Sequence, residues 1–194
     1  MDKIRVSIGI CVYNEEKNIG RLLDKLLTQK TDLSDISEIY VVSSGSEDRT
    51  NEIVRTFAKK DSRIKLLTQP CRGGKASAIN EFLKAAKYEV LVLESGDTIP
   101  VEKTIEKLVA PFVNPKIGMT GGHSIPINDR NTFLGFTVQL QWEILHQLSQ
   151  IHPRFGELIA FRNVVRNIPI KTCTDEAHIE FEIKENGLFA VSCG

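Results

Sequence analysis

Four short polar segments interrupt the N-terminal half of this chain, and each carries side chains able to bind or move charge. They are Tyr13-Asn14-Glu15, Ser43-Ser44-Gly45-Ser46, Arg72-Gly73-Gly74-Lys75 and Ser95-Gly96-Asp97. Asp97, among oxygen-bearing neighbours, is the kind of residue that ligates Mg²⁺ or Mn²⁺. Arg72 and Lys75 flank a glycine pair whose backbone can approach an anion, which suits a phosphate. A fifth segment, Thr174-Asp175-Glu176, reads as a helix start, with Thr174 as the cap and two acids in the first turn. Each segment taken alone has a plainer reading. Asp97 could cap a turn, Arg72–Lys75 could be a solvated turn, and the two acids could merely complement a helix dipole.

The elements between these segments decide whether they meet. Ile4 to Val12 is a continuous β-rich run, as a buried parallel strand requires. Ile19, Leu22, Leu23, Leu26 and Leu27 then make one apolar stripe of a helix. Strands follow at Glu38–Ser43, Ile64–Thr68 and Glu89–Leu93. Between them lie a helix that Ser46-Glu47-Asp48 could cap, facing Ile53, Val54, Phe57 and Ala58 inward, and one that Gly74 opens, with Ile79, Phe82, Leu83 and Ala86 on one face. This alternation predicts right-handed βαβ units and a parallel sheet. In such a sheet ligands bind beyond the carboxyl ends of the strands, and all four polar segments sit at strand exits.

The last third is less regular. A helix over about Val101–Ala110, a strand near Gly118–Thr120 and a turn-rich stretch through Asn131 precede a long helix, Phe133–Ile151. Trp142, Phe133 and Phe136 share that helix's stripe and are read as core, with stacking on an acceptor sugar as the alternative. Strands are expected at Leu158–Phe161 and Leu188–Ser192. There is no internal repeat or linker, so 1–194 reads as one α/β domain, divided into 1–100 and 101–194.

Composition narrows the function classes. The 194 residues are 41% hydrophobic and 26% charged, enough to build a core. With 25 basic and 25 acidic residues the formal net charge is zero, so binding of nucleic acid through bulk basicity is excluded. No apolar run approaches the roughly 18 residues a membrane span needs. Met1-Asp2-Lys3 leads straight into a strand, so no secretory leader is expected. Cys11, Cys71, Cys173 and Cys193 are far apart, as idle thiols in a reducing cytosol would be. His123, His146, His152 and His178 lack metal-ligand spacing and read as surface or core residues, with His146 the one to test as an acceptor contact. Counting back from Gly74-Lys75 puts Gln69 where a Walker loop needs glycine, and no glycine fingerprint follows the first strand. P-loop phosphoryl transfer and nicotinamide hydride transfer are therefore disfavoured.

Taken in order, the segments resemble the nucleotide-binding half of a family 2 glycosyltransferase of the GT-A fold. VSIGICVYNEE is similar to that family's first strand and its Tyr-Asn-Glu. VVSSGSEDRT keeps its Gly-Ser and Asp-x-Thr, with Ser43 and Ser44 in place of two acids. RGGKASAIN resembles its Arg-Gly-Lys and later Ala-x-Asn. ESGDTIP resembles its metal-binding DxD, with Asp97 in the second acidic place and Ser95 in the first. Glu94, one residue earlier on a strand, is expected to face the other way. GELIAFRN is similar to the strand lining the acceptor site, and TDEAHIEFEIKENGLFAV to the family's acid-pair helix, trailing glycine and strand.

The resemblance implies a mostly parallel central sheet flanked by helices, with an irregular acceptor-side half. It implies inverting, metal-assisted transfer of a hexosyl unit from a nucleoside diphosphate sugar to a glycan or lipid-linked acceptor. UDP-sugars are favoured as donors and GDP-sugars remain open. Tyr13, Asn14 and Glu15 would line nucleobase and ribose, and Ser44 would meet the base. Arg72, Gly74 and Lys75 would face the diphosphate, Ser95 would be a further residue of the nucleotide-sugar site, and Asp97 would coordinate Mg²⁺ or Mn²⁺. Glu176 would be the catalytic base, with Asp175 as the fallback. A cytoplasmic location is implied, at the membrane face if a further C-terminal part carries membrane-associated helices, and self-association is allowed. The competing readings are a nucleotide-sugar-binding module that has lost catalysis, and a sugar nucleotidyltransferase.

Overall fold

The computed structural model describes residues 2–151, 153, 156–172 and 174–193, apart from the side chains of Gln150 and Ile151. His152 and Cys173 therefore lie outside the described residues. The chain runs β1 (Ile4–Val12), α1 (Ile19–Leu27), β2 (Ser34–Ser44), α2 (Thr50–Lys60), β3 (Ile64–Gln69), α3 (Lys75–Ala85) and β4 (Val90–Ser95). It continues through α4 (Thr104–Val109), a 3₁₀ turn (Ala110–Val113), β5 (Ile117–Gly121), α5 (Phe133–Ile151), β6 (Leu158–Arg162), α6 (Asp175–Glu185) and β7 (Phe189–Ser192).

The strands form one 7-stranded sheet in the order β3-β2-β1-β4-β6-β5-β7. β1 pairs in parallel with β2 and β4, and β2 with β3. β6 alone is reversed, pairing antiparallel with both β4 and β5. The mostly parallel α/β sheet expected from the alternating periods is therefore observed, with a single antiparallel insertion on the C-terminal side.

Each sheet face carries its own core. On one face Ile8 and Ile10 of β1 meet Leu22, Leu23 and Leu26 of α1 and Ile105 and Leu108 of α4. On the other, Phe82 and Ile79 of α3 and Ile179 and Ile183 of α6 cover Val42, Leu91 and Phe161. The Phe82 ring lies directly over Gly9, where a Cβ would stand 2.5 Å from ring carbons. β1 therefore needs glycine at that point for α3 to dock.

Several boundaries differ from the sequence reading. β2 begins at Ser34 because Ile4 pairs there, and a register shift between Val6 and Ser7 absorbs the extra length. β4 runs on to Ser95 because β1 offers partners as far as Cys11. α5 departs most. Phe133 is 83% exposed and Phe136 54%, so their expected core role is not observed. Periodicity defines an apolar face but not what covers it, and among the described residues nothing buries this one. No described helix is long and apolar enough to cross a membrane.

Candidate active site

The exits of β1, β2, β3 and β4 lie side by side, and backbone hydrogen bonds lock their loops together. The Asn14 amide donates to Ser46 Oγ at 3.1 Å, and Asn14 Oδ1 accepts from the Glu47 amide at 2.9 Å. Asn14 itself sits at φ 56°, a left-handed conformation that asparagine tolerates better than most residues. Its side chain thus braces the loop after β2 rather than standing free toward a ligand. Asp48, just before α2, accepts the Thr50 amide at 2.9 Å and the Glu16 amide at 3.0 Å. The N-cap of α2 is Arg49, whose side chain makes no capping bond, so none of the three residues proposed as caps occupies that position, although Asp48 bonds the first helical amide.

Ser44 Oγ accepts the Gly73 amide at 2.9 Å, tying the β2 exit to the Arg72–Lys75 segment. Gly45 makes that approach possible. Its φ is 72°, and a Cβ there would lie 2.6 Å from the Arg72 nitrogen. The Arg72 guanidinium rests over the Tyr13 ring, 4.2 Å from its centroid. Tyr13, Ser44, Arg72, Gly74 and Lys75 line a cavity of about 210 Å³ between these loops.

Lys75 is the first residue of α3, and its ammonium reaches the first turn of α6. It lies 2.9 Å from Asp175 Oδ2 and 2.8 Å from Glu176 Oε1. Partial burial works against the Lys75 charge, but the bonds to Glu176 and Asp175 outweigh it and hold its pKa above the ordinary lysine value. α6 is brought to this position by Asn80 of α3. Asn80 Nδ2 donates to the Ile168 carbonyl at 2.8 Å and its Oδ1 accepts the Ile168 amide at 2.7 Å, clamping the approach to α6. Thr174 sits at the N-cap, but its side chain makes no capping bond, contrary to its expected role.

Glu15, Lys75, Asp97, Asp175 and Glu176 line a second cavity, of about 230 Å³, with Ser95 in its wall. Cys11 lies against it, and burial pushes that thiol up to about 12, with Lys75 opposing, so it is a neutral thiol. Cys71 and Cys193 are also free thiols. Two carboxylates that sequence reasoning did not select belong to this cavity. Glu94 lines it despite the alternation that was expected to turn it away, since it lies one residue from the end of β4. It is 3% exposed, takes a hydrogen bond from Thr98 and has an Oε2 with no partner among the described residues. Burial, reinforced by Asp97 and Glu157 and opposed by the Thr98 bond, pushes Glu94 up to about 7. Glu157 arrives from the start of β6 and accepts the Ser95 hydroxyl. Nothing local in the sequence marks it, because it reaches Ser95 only through antiparallel pairing.

The donor set suits a hard cation. Asp97, Glu157 and the unpartnered oxygen of Glu94 are all carboxylate oxygens at one cavity. No three His, Cys, Asp or Glu side chains among the described residues stand together as a ready cage. Mg²⁺ is generally held by one or two carboxylates, with waters and substrate phosphates completing the shell, so a full protein cage is not required.

A third cavity, of about 410 Å³, opens on the far side of α6. His123, Trp142, His146, Thr174 and Glu176 are among its walls. His123 and His146 stack with centroids 3.6 Å apart, and burial, then the neighbouring His146, holds His123 below the ordinary histidine range. Lys75 is shared by the first and second cavities, and Glu176 by the second and third. Of the residues proposed from sequence, all but Asn14 line one of these connected cavities.

A mixed sheet of this order, with its polar groups gathered at the carboxyl ends of the parallel strands, is the architecture of a GT-A domain. The sequence pattern of glycosyl transferase family 2 matches residues 7–171, and the chain belongs to that family. Over 130 residues it is 35% identical to the uncharacterized glycosyltransferase EpsJ of Bacillus subtilis (strain 168), covering 66% of this chain and 37% of that protein. The mannosyltransferase PcManGT of Pyrobaculum calidifontis, solved with GDP-Man and Mn²⁺, superposes with a TM-score of 0.77 at 24% identity. That match covers 98% of this chain and 55% of that one. Glucosyl-3-phosphoglycerate synthase of Mycobacterium tuberculosis, solved with UDP, superposes with a TM-score of 0.67 at 18% identity over 97% of this chain and 70% of that one. At these identities the structural likeness is one of fold. The chain spans 37% of the length of EpsJ and about a third of other curated relatives.

Proposed function

We propose that this chain moves a hexosyl unit from a nucleoside diphosphate sugar to an acceptor hydroxyl, with inversion and with the help of Mg²⁺ or Mn²⁺. Residues 1–100 serve the donor and residues 101–194 the acceptor. The observation that carries this reading is the sharing of Glu176 between the cavity of Lys75 and Asp97 and the cavity of Trp142 and His146. A carboxylate at that boundary can reach a donor on one side and an acceptor on the other.

In this reading the nucleobase enters the slot between Tyr13, Arg72 and Ser44. Ser44 already accepts the Gly73 amide, and its hydroxyl proton remains for the base. UDP is the favoured carrier, and GDP is the second candidate, since fold relatives have been solved with each. Lys75 would meet the diphosphate, and Asp97 would hold the cation. The bound cation supplies Lewis-acid stabilisation of the departing diphosphate. Glu176 takes the proton from the attacking acceptor hydroxyl, in a single displacement. Until a diphosphate arrives, Lys75 occupies Glu176 and Asp175. A diphosphate competes for the same ammonium, so donor binding frees the base for the acceptor.

The test is release of nucleoside diphosphate from UDP-glucose, UDP-GlcNAc and GDP-mannose in Mn²⁺, alongside thermal shifts by UDP and GDP. Turnover of one donor, with its nucleotide raising the melting temperature, supports the reading. Binding without turnover of any donor leaves a nucleotide-sugar-binding module, and neither binding nor turnover overturns the reading.

A further inference from the structure

Ser95 stands where the family's metal motif usually has its first acid, so this chain is one carboxylate short at that place. The fold brings another within reach. Antiparallel pairing sets Glu94 opposite Leu158, so the next residues outward, Ser95 and Glu157, meet at the strand exit. The Ser95 amide donates to the Glu157 carbonyl at 3.0 Å, and the Ser95 hydroxyl donates to Glu157 Oε2. Glu157 is thus held by both backbone and side chain in the wall of the cavity that Asp97 lines. Beside them Glu94 is 3% exposed, and its Oε2 has no hydrogen-bond donor among the described residues. A buried carboxylate oxygen without a donor is costly, and a cation at this cavity is what would satisfy it.

We propose that Glu157, delivered by β6 and held by Ser95, is a ligand of the divalent cation together with Asp97, replacing the acid absent at position 95. This rests on the reading that the cavity takes a nucleoside diphosphate with a cation. Two carboxylates, with phosphate oxygens and water, make an ordinary shell for Mg²⁺ or Mn²⁺. Ser95 becomes a positioning residue, and the acid moves from β4 to the neighbouring strand.

The test is Mn²⁺ affinity, read from the electron paramagnetic resonance of free Mn²⁺, for the purified chain alone and with UDP or GDP. Circular dichroism checks the fold of each variant. Ser95→Ala, which loosens Glu157 without removing it, should weaken Mn²⁺ binding by about 10-fold, and Glu157→Gln, which removes the carboxylate itself, by more. Ser95→Asp placed in the Glu157→Gln background should recover most of the loss. Mn²⁺ affinity within two-fold of wild type in Glu157→Gln overturns Glu157 as a ligand while leaving Asp97 untouched. A loss in Glu157→Gln that Ser95→Asp does not recover, with Ser95→Ala unaffected, overturns the replacement of one acid by the other. Failure of the wild-type chain to bind Mn²⁺ with either nucleotide overturns the cation reading itself, and Glu157 with it.

Discussion

Glu38 and Glu94 are equally buried, at 4% and 3% exposure, yet the two ends of the sheet treat them in opposite ways. Glu38, toward the amino ends of β1 to β3, accepts Ser7 Oγ at 3.0 Å and Lys65 Nζ at 2.8 Å, with the Tyr40 hydroxyl 3.2 Å away. Burial opposes its charge, but the Lys65 and Ser7 bonds outweigh that and hold its pKa below the ordinary glutamate value. Glu94, at the carboxyl end, has among the described residues one hydrogen bond, an unpartnered oxygen and two acidic neighbours, and is raised to about 7. One end is closed by its own side chains. The other is left electrostatically incomplete, as a site does when its ligand supplies the missing charge.

The comparison breaks most readily on activity. Glu176→Gln should lower transfer by about 10²–10⁴-fold, the usual worth of a general base, with nucleotide affinity and melting temperature near wild type. Glu38→Gln should leave turnover per folded molecule unchanged. An active Glu176→Gln enzyme removes the catalytic role from the carboxyl end.

The next effect is on stability against pH, measured as melting temperature in EDTA. Glu94 binds its proton more tightly folded than unfolded. Its contribution to stability therefore falls as pH rises from about 4.5 to about 7, by on the order of 3 kcal/mol. Glu94→Gln, which keeps an acceptor for Thr98, should flatten that decline and be the more stable form at pH 8. An unchanged pH slope in the variant contradicts the burial of an unsatisfied carboxyl.

Glu38 has the opposite sign. Its stabilisation is present above the unfolded glutamate pKa and is lost as pH falls through the lower folded value. Glu38→Gln should cost about 2 kcal/mol near pH 7, roughly 4–8 °C, and the difference should vanish in acid. The smallest effect concerns the nucleobase slot. Arg72→Ala, which removes a guanidinium from the wall of the slot, should weaken nucleotide binding by a few-fold, the worth of one exposed cation–π contact with a base, about 0.5–1 kcal/mol.

The parallel strands were legible in the sequence because local pattern carries them, whereas the Ser7–Glu38–Lys65 network, in which Ser7 and Lys65 lie 31 and 27 positions from Glu38, was not. β-rich runs and helical stripes recur in alternation, and the polar segments fall at strand exits. Asp97 and Lys75 were legible because each sits in such a segment, and Asp175 and Glu176 because two acids mark a helix start. The open end was legible only in part. Glu157 and Ser95 are 62 positions apart and meet through the one reversed strand, and no periodicity encodes that register. Glu94, which alternation turns away from Ser95, lines the same cavity because it lies one residue from the end of β4, where the cavity wraps around the strand exit. For α5 the stripe was visible, but burial depends on a partner surface that a stripe does not specify. Asn14 carries a residue type suited to ligand binding, while its side chain is engaged by the backbone of a loop 33 residues away.

The central claim is that the exits of β1 to β4 and the start of α6 form one site for a cation and a nucleoside diphosphate. Anomalous diffraction from crystals grown with Mn²⁺ and UDP, and in parallel with Mn²⁺ and GDP, addresses it directly. The account predicts a Mn²⁺ peak against the Asp97 carboxylate with diphosphate density beside Lys75. A peak on another surface of the chain, or nucleotide bound away from the Tyr13–Arg72 slot, would contradict it.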